Sequence, residues 1–113
     1  MTDKIVVLST CGSAEEAARL ASRLVESRTA ACVNILPGVS SVYRWKGAVE
    51  EAKEILLVIK TRRPLLDRLM SELRVVHSYE VPEVVALPVV AGLDRYLAWI
   101  DEETSEPPSA PQG

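Results

Sequence analysis

The middle of the chain reads Ala30-Ala-Cys-Val-Asn-Ile-Leu-Pro-Gly-Val-Ser-Ser-Val-Tyr-Arg-Trp-Lys46, a run rich in β-branched and aromatic side chains. Such residues favour strands, and proline cannot donate to a strand ladder, so Pro37-Gly38 predicts a bulge or an edge position. At about 3.3 Å per residue, these 17 residues would extend about 55 Å. A domain of this length has a diameter of roughly 30–35 Å, so the strand must bend sharply or project beyond its core.

The segments on either side of this run complete a regular order of elements. Residues 4–10 form a β-branched run, and Ser13 then begins a helix with Glu16 three residues later, as in a capping box. The pattern further predicts a turn at Lys46-Gly47, a strand at 50–61, a helix beginning at Pro64 and a strand at 84–90. A final helix follows Gly92, and its side chains expected to point inward are Leu93, Tyr96, Leu97 and Ile100. The order β-α-β-β-α-β is the ferredoxin-like α+β motif, here with a C-terminal helix and a long β2-β3 hairpin.

Composition limits the class of protein. The chain has 113 residues, of which 48% are apolar and 26% charged, which predicts one domain over 1–104. Residues 105–113 are rich in proline and are expected to be disordered. The net charge of −3 comes from acids between Asp101 and Glu106, so the body offers no basic face for nucleic acid.

Cellular context and partners follow from what the sequence contains. Its apolar runs are strand-sized, so we expect no membrane span. The two cysteines, Cys11 and Cys32, are too few for a disulfide scaffold, which favours the cytoplasm. Because an isolated two-stranded ribbon is marginal in water, the long hairpin predicts a homo-oligomer. A head-to-tail contact of this kind must close into a ring.

Several motifs in order resemble the CutA family of divalent-cation tolerance proteins. They are the 30–39 segment, Ser41-Val-Tyr-Arg-Trp-Lys-Gly, Lys60-Thr and His77-Ser-Tyr-Glu-Val-Pro-Glu, within a resemblance that runs from about Ile5 to Ile100. The resemblance implies a ferredoxin-like homotrimer similar to the PII signalling proteins. It also implies a role in tolerance of copper and other divalent metals, in a family that is mostly cytoplasmic in bacteria.

Metal ligands can be compared with those proposed for the family, a cysteine near the end of the first strand and a His-His pair. The cysteine position is Ser9 here, and the pair is Val76-His77. His77 is therefore the best single metal ligand, and Cys11 lies two residues beyond Ser9. Imidazole and thiolate groups bind copper and zinc, yet one histidine is not a complete site. Alternatively, His77 bonds Tyr79 or a carbonyl and locks its loop, and Cys32 belongs to the core.

A cleft between subunits is the second candidate site. Aromatic and charged side chains could line it, or could instead serve packing and solvated ion pairs; they are Tyr43, Trp45, Lys60, Tyr79, Glu80 and Glu83. Motifs of familiar enzymes do not occur, so we expect a non-enzyme. The leading hypothesis is a divalent-cation tolerance protein with weak copper binding and no organic cofactor. The alternatives are a PII-like module that binds a small anion in the cleft, or a stable trimeric scaffold for a partner protein.

Overall fold

The computed structural model describes residues 2–106 and has the predicted order of elements. The elements are β1 Lys4–Cys11, α1 Ala14–Glu26, β2 Cys32–Trp45, β3 Ala48–Arg62, a 3-10 turn Arg63–Leu65, α2 Leu66–Val76, β4 Val85–Pro88 and α3 Asp94–Glu103. The four strands form one antiparallel sheet in the order β2-β3-β1-β4. The predicted ferredoxin-like α+β fold is confirmed, although β4 is shorter than the predicted 84–90 strand.

Helix α1 begins as predicted, but its capping box is incomplete. The Ser13 hydroxyl accepts a hydrogen bond from the Glu16 N–H at 3.1 Å. The Glu16 carboxylate does not return to Ser13 and accepts instead from the Gly12 N–H and the Ser78 N–H. Because the segment after α2 passes over this end of the helix, it supplies a donor that sequence spacing does not reveal. Glu16 is therefore buried.

The hairpin formed by β2 and β3 is the longest feature of the molecule. A bulge between Leu36 and Val39 absorbs the Pro37-Gly38 pair, as the proline predicts. Lys46 and Gly47 both have positive φ, 51° and 83°, which suits a tight two-residue hairpin turn. The described residues extend over 58 × 35 × 22 Å, so the ribbon lengthens the molecule well beyond the predicted diameter.

Helices α1 and α2 cover one face of the sheet and form the core with it. The fully buried side chains include Val7, Leu20, Leu24, Leu57, Ile59, Leu69 and Leu73. Since side chains alternate along a strand, the neighbours of these strand residues point to the other side of the sheet. We call this side the open face; it carries the apolar side chains of Val6, Leu8, Leu36, Leu56, Val58, Val85 and Leu87.

Helix α3 covers only one end of the open face. Its last turn lies near Lys4 and Arg62, which contact Asp101 and Thr104. Of the four side chains predicted to point inward, only Ile100 is buried, and Leu93 is 75% exposed. The prediction that these side chains point inward thus holds within one subunit for Ile100, and in part for Leu97, because this helix packs against the sheet by its C-terminal half.

Two further expectations concern the ends and the surroundings of the chain. None of the helices found between residues 2 and 106 is long and apolar enough to span a lipid bilayer. The predicted disordered tail, residues 105–113, falls almost entirely outside the described part of the chain. Its disorder therefore stays a prediction.

Candidate functional site

A buried group of polar side chains lies where β1 ends, α1 begins and the segment after α2 passes over both. We call Thr10, Glu16, Glu54, His77 and Tyr79 the polar cluster. His77, Glu16 and Glu54 are 8%, 3% and 9% exposed, respectively. Buried charged groups are costly unless they are hydrogen-bonded or paired. Their partners therefore decide what this cluster does.

Both ring nitrogens of His77 are hydrogen-bonded to the main chain. Nε2 lies 2.7 Å from the carbonyl oxygen of Thr10, and Nδ1 accepts from the Tyr79 N–H at 3.0 Å. Since Nδ1 accepts, the ring proton is assigned to Nε2, which donates to Thr10. The ring is thus a neutral tie between the end of β1 and the segment after α2.

Glu16 connects the same two regions through its carboxylate. Its oxygens accept from the Gly12 N–H at 3.3 Å and from the Ser78 N–H at 2.7 Å. Burial on its own would raise the pKa of Glu16, but the hydrogen bonds from Ser78 and Gly12 outweigh burial and lower it. Glu16 is therefore ionised at neutral pH, with Nδ1 of His77 at 3.8 Å from Oε2.

Glu54 lies on β3 and is held by hydroxyl groups. The Tyr79 hydroxyl donates to Oε2 at 2.7 Å. Burial opposes ionisation, but hydrogen bonds from Ser41, Tyr79 and Thr10 lower the pKa of Glu54 below its ordinary value. Burial and the bond to Glu54 raise the pKa of Tyr79, so its phenol stays protonated and remains a donor.

The predicted metal ligands do not fit a copper ion as they are arranged here. The lone pair on Nδ1 of His77 is used by Tyr79, and Nε2 carries a proton. Cys11 is fully buried, its Sγ faces the Ser13 carbonyl at 3.7 Å, and burial and Glu16 raise the pKa of its thiol. Across residues 2–106, no three His, Cys, Asp or Glu side chains are placed to hold a metal together. Metal binding by His77 and Cys11 stays a prediction.

The second cysteine does not occupy the position expected of it. Cys32 is only partly buried, whereas the sequence favours a place in the core. It pairs with Lys60 across the β2-β3 ladder and shares its face of the sheet. Its neighbours on that side are polar, and Sγ lies 3.9 Å from Oδ1 of Asn34.

The residues predicted to line a cleft do not all lie together within one chain, because Lys60 is remote from Tyr79 and Glu80. Tyr79 belongs to the polar cluster, and Glu80 lies 3.9 Å from Lys46 at the end of the hairpin. Tyr43, Trp45, Glu80 and Glu83 are exposed along this side of the molecule. Lys60 is six residues beyond Glu54 on β3, about 20 Å away for an extended strand. One chain alone therefore does not bring Lys60 to Tyr79.

Glu16, Glu54 and Thr10 are members of the polar cluster that sequence reasoning missed. The sequence predicts for Glu16 only a place in the capping box of α1. Glu54 directly precedes the apolar run Ile55 to Ile59, and an acid beside a buried strand is the one signal that could have marked it. Thr10 contributes mainly through its carbonyl oxygen, which no side-chain pattern reveals.

Comparison with known proteins assigns this fold to a class. The family model described as CutA1 divalent ion tolerance protein matches residues 5–103. The crystal structure of CutA from Xylella fastidiosa superimposes with a TM-score of 0.90 at 39% sequence identity, over 92% of this chain and 100% of that one. The chain belongs to the CutA1 family of divalent ion tolerance proteins. The resemblance seen in the sequence is confirmed.

Two relatives of known sequence agree with this assignment, and this chain matches different shares of their lengths. The divalent-cation tolerance protein CutA of Thermus thermophilus is 48% identical over 99 residues, which cover 88% of this chain and 96% of the relative. The chloroplastic protein CutA of Arabidopsis thaliana is 47% identical over 100 residues, which cover 88% of this chain. The match spans only 55% of the plant protein, so this chain corresponds to about half of that relative.

Proposed function

We propose that this chain acts in divalent-cation tolerance as a homotrimer, and that it binds copper or another divalent metal weakly at the clefts between subunits. The observation that carries the proposal is the open face of the sheet. Leu36, Val85 and Leu87, on the two edge strands of a sheet whose other face is the core, are each more than 40% exposed there. Apolar patches of this kind mark interaction surfaces.

The hairpin supports a closed assembly rather than a simple pair. Its projecting part exposes Val42 by 67% and Tyr43 by 43%. A ribbon that extends from one subunit onto the sheet of the next makes a head-to-tail contact, which forms a ring or a filament. The family resemblance supplies the number three, and its solved members share this fold.

Metal binding is proposed at the cleft because the metal ligands within one subunit are already engaged. His77 and Cys11 would have to give up their present partners, whereas Glu80 and Glu83 are exposed. Carboxylate oxygens from two subunits can together bind a divalent ion that neither subunit binds alone. We expect weak binding for this reason. The cytoplasmic location and the non-enzymatic role also stay predictions, and the Arabidopsis relative is named chloroplastic.

Light scattering tests the assembly. The wild-type chain should have the mass of three subunits, and Leu87→Asp or Val42→Asp should reduce it, because a charge buried at a subunit contact has no partner. Val75→Asp is the matched control, since Val75 is 77% exposed on α2, away from the open face. A monomeric wild type, or trimers with both Leu87→Asp and Val42→Asp, would contradict the proposal.

Calorimetric titration of Cu²⁺ into the full chain and into His77→Ala tests the metal. Binding of one ion per subunit supports the proposed site, and a tenfold loss in the variant, about 1.4 kcal/mol, identifies His77 as a ligand. Equal binding by the two proteins assigns the metal to other groups of the cleft. A wild type that shows no binding contradicts the metal part of the proposal and leaves the assembly untouched.

A further inference from the structure

We infer that the Glu54 carboxylate of one subunit forms an ion pair with the partner subunit's Lys60, so that the polar cluster is completed only by a second copy of this chain. The inference rests on the proposed homotrimer and adds to it the residues that fix how neighbouring subunits are aligned. The Glu54 carboxylate has no counter-charge among the described residues of its own subunit.

Glu54 is a buried anion without a cation. Its side chain lies on the open face, beside the residues that the neighbouring subunit would cover. It accepts hydroxyl hydrogen bonds, yet within residues 2–106 no lysine, arginine or histidine nitrogen lies within 4.0 Å of it. The ring of His77 in the same cluster is neutral in its present hydrogen bonds. Once a neighbour excludes water, hydroxyl groups alone leave the carboxylate charge unbalanced.

Lys60 is the complementary group at the other end of the same face. It is six residues from Glu54 on β3, an even number, so both side chains point to the open face. Its ammonium contacts Oδ1 of Asn34, and no carboxylate within residues 2–106 pairs with it. The pair is thus about 20 Å apart within a subunit and cannot form there.

The other cations of this face are already engaged. Lys4 pairs with Asp3 and with Asp101. The guanidinium of Arg62 donates to the Thr104 hydroxyl at 2.9 Å and to its carbonyl at 3.2 Å. Lys60, held only by a neutral amide, is the cation that can change partner at least cost.

A head-to-tail contact brings unlike ends of the same surface together. In such a contact one end of the open face of each subunit meets the other end of the next. A carboxylate at one end and an ammonium at the other are then satisfied at every junction of a closed ring. On this face Leu56 lies next to Glu54 and Val58 next to Lys60, so apolar side chains flank both members of the pair. An ion pair buried in this way fixes the register of a contact that apolar surfaces alone leave loose.

Subunit exchange measured by native mass spectrometry tests the pair. Trimers with natural and heavy isotopes are mixed, and the rate at which mixed trimers appear is recorded for Glu54→Gln, for Lys60→Met and for the double variant. Glutamine still accepts from the Tyr79 hydroxyl, and the circular dichroism spectrum checks the subunit fold. We expect each single variant to exchange at least tenfold faster than the wild type. The double variant should exchange no faster than either single one, because the pair is broken once and no unpaired charge stays buried.

Matched charge-removing variants on the other side of the sheet separate the pair from a general charge effect. Glu15→Gln and Arg19→Met change exposed residues of α1, the helix that packs on the core face of the sheet, and should leave exchange within twofold of the wild type. A double variant whose acceleration equals the product of the single effects would overturn the pair, as would single variants that exchange like the controls. A wild type without trimers fails the proposed function instead, which light scattering shows before any exchange is measured.

Discussion

Replacing Tyr79 by phenylalanine removes a single oxygen atom from the polar cluster. The phenyl ring keeps its packing on His77, whose ring centroid is 4.6 Å away, so the change is confined to the hydrogen bond with Glu54. A hydrogen bond to a charged group stabilises a protein by about 1.5–3 kcal/mol. Because the hydroxyls of Ser41 and Thr10 also favour the ionised carboxylate, we expect a loss toward the lower part of that range, about 2 kcal/mol.

Urea denaturation at a fixed subunit concentration measures this loss, since oligomers unfold in a concentration-dependent way. With a slope of about 2 kcal/mol per molar urea, a loss of about 2 kcal/mol lowers the midpoint by about 1 M. Tyr96→Phe is the control, because Tyr96 is 42% exposed on α3 and its hydroxyl makes no hydrogen bond among the described residues, so its loss changes stability within about 0.5 kcal/mol.

The pH dependence of the same comparison gives a second check. The folded-state pKa of Glu54 lies below its ordinary value of 4.5, so its ionised form stabilises the fold above that pH. The contribution is lost as the pH falls through the lowered folded-state pKa. The difference between wild type and Tyr79→Phe should therefore be complete at pH 7 and shrink below pH 4.5. Equal urea midpoints at pH 7, or an equal loss in Tyr96→Phe, would refute the assigned role of the hydroxyl.

Two further predictions concern stability and use thermal unfolding. Ser9→Ala should raise the free energy of unfolding by about 1 kcal/mol, because the Ser9 hydroxyl is fully buried without a hydrogen-bond partner among the described residues. Thr61→Val is its control and should lower the free energy of unfolding, since the Thr61 hydroxyl donates to the Thr29 carbonyl at 2.6 Å. An equal gain in stability in both variants would contradict the assignment of Ser9 as an unpaired hydroxyl. Gly47→Ala should lower the free energy of unfolding by about 1–2 kcal/mol, because φ is +83° at this position. An added Cβ would meet no atom within 4 Å, so the loss comes from the backbone conformation alone. An unchanged melting temperature would show that the turn relaxes freely.

The order of the elements was predictable from the sequence because it depends on local signals. Ser13 and Pro64 mark helix starts, and alternating apolar residues mark strands on both sides of the Pro37-Gly38 bulge. No local signal of this kind supports a metal-binding role for His77. A sequence does not show whether the ring nitrogens of a histidine are free or hydrogen-bonded. In this structure both nitrogens of His77 are hydrogen-bonded to main-chain atoms.

Sequence alone therefore determined the fold class, the projecting hairpin and the family, since periodicity, turn residues and motif order are properties of neighbours along the chain. Only the tertiary structure decided that Glu16 and Glu54 are buried anions, that Thr10 meets His77, and that Lys60 lies far from Tyr79. These facts depend on distances between segments that are remote in sequence. A hydrogen bond or a missing counter-charge exists only where the fold brings two such segments together.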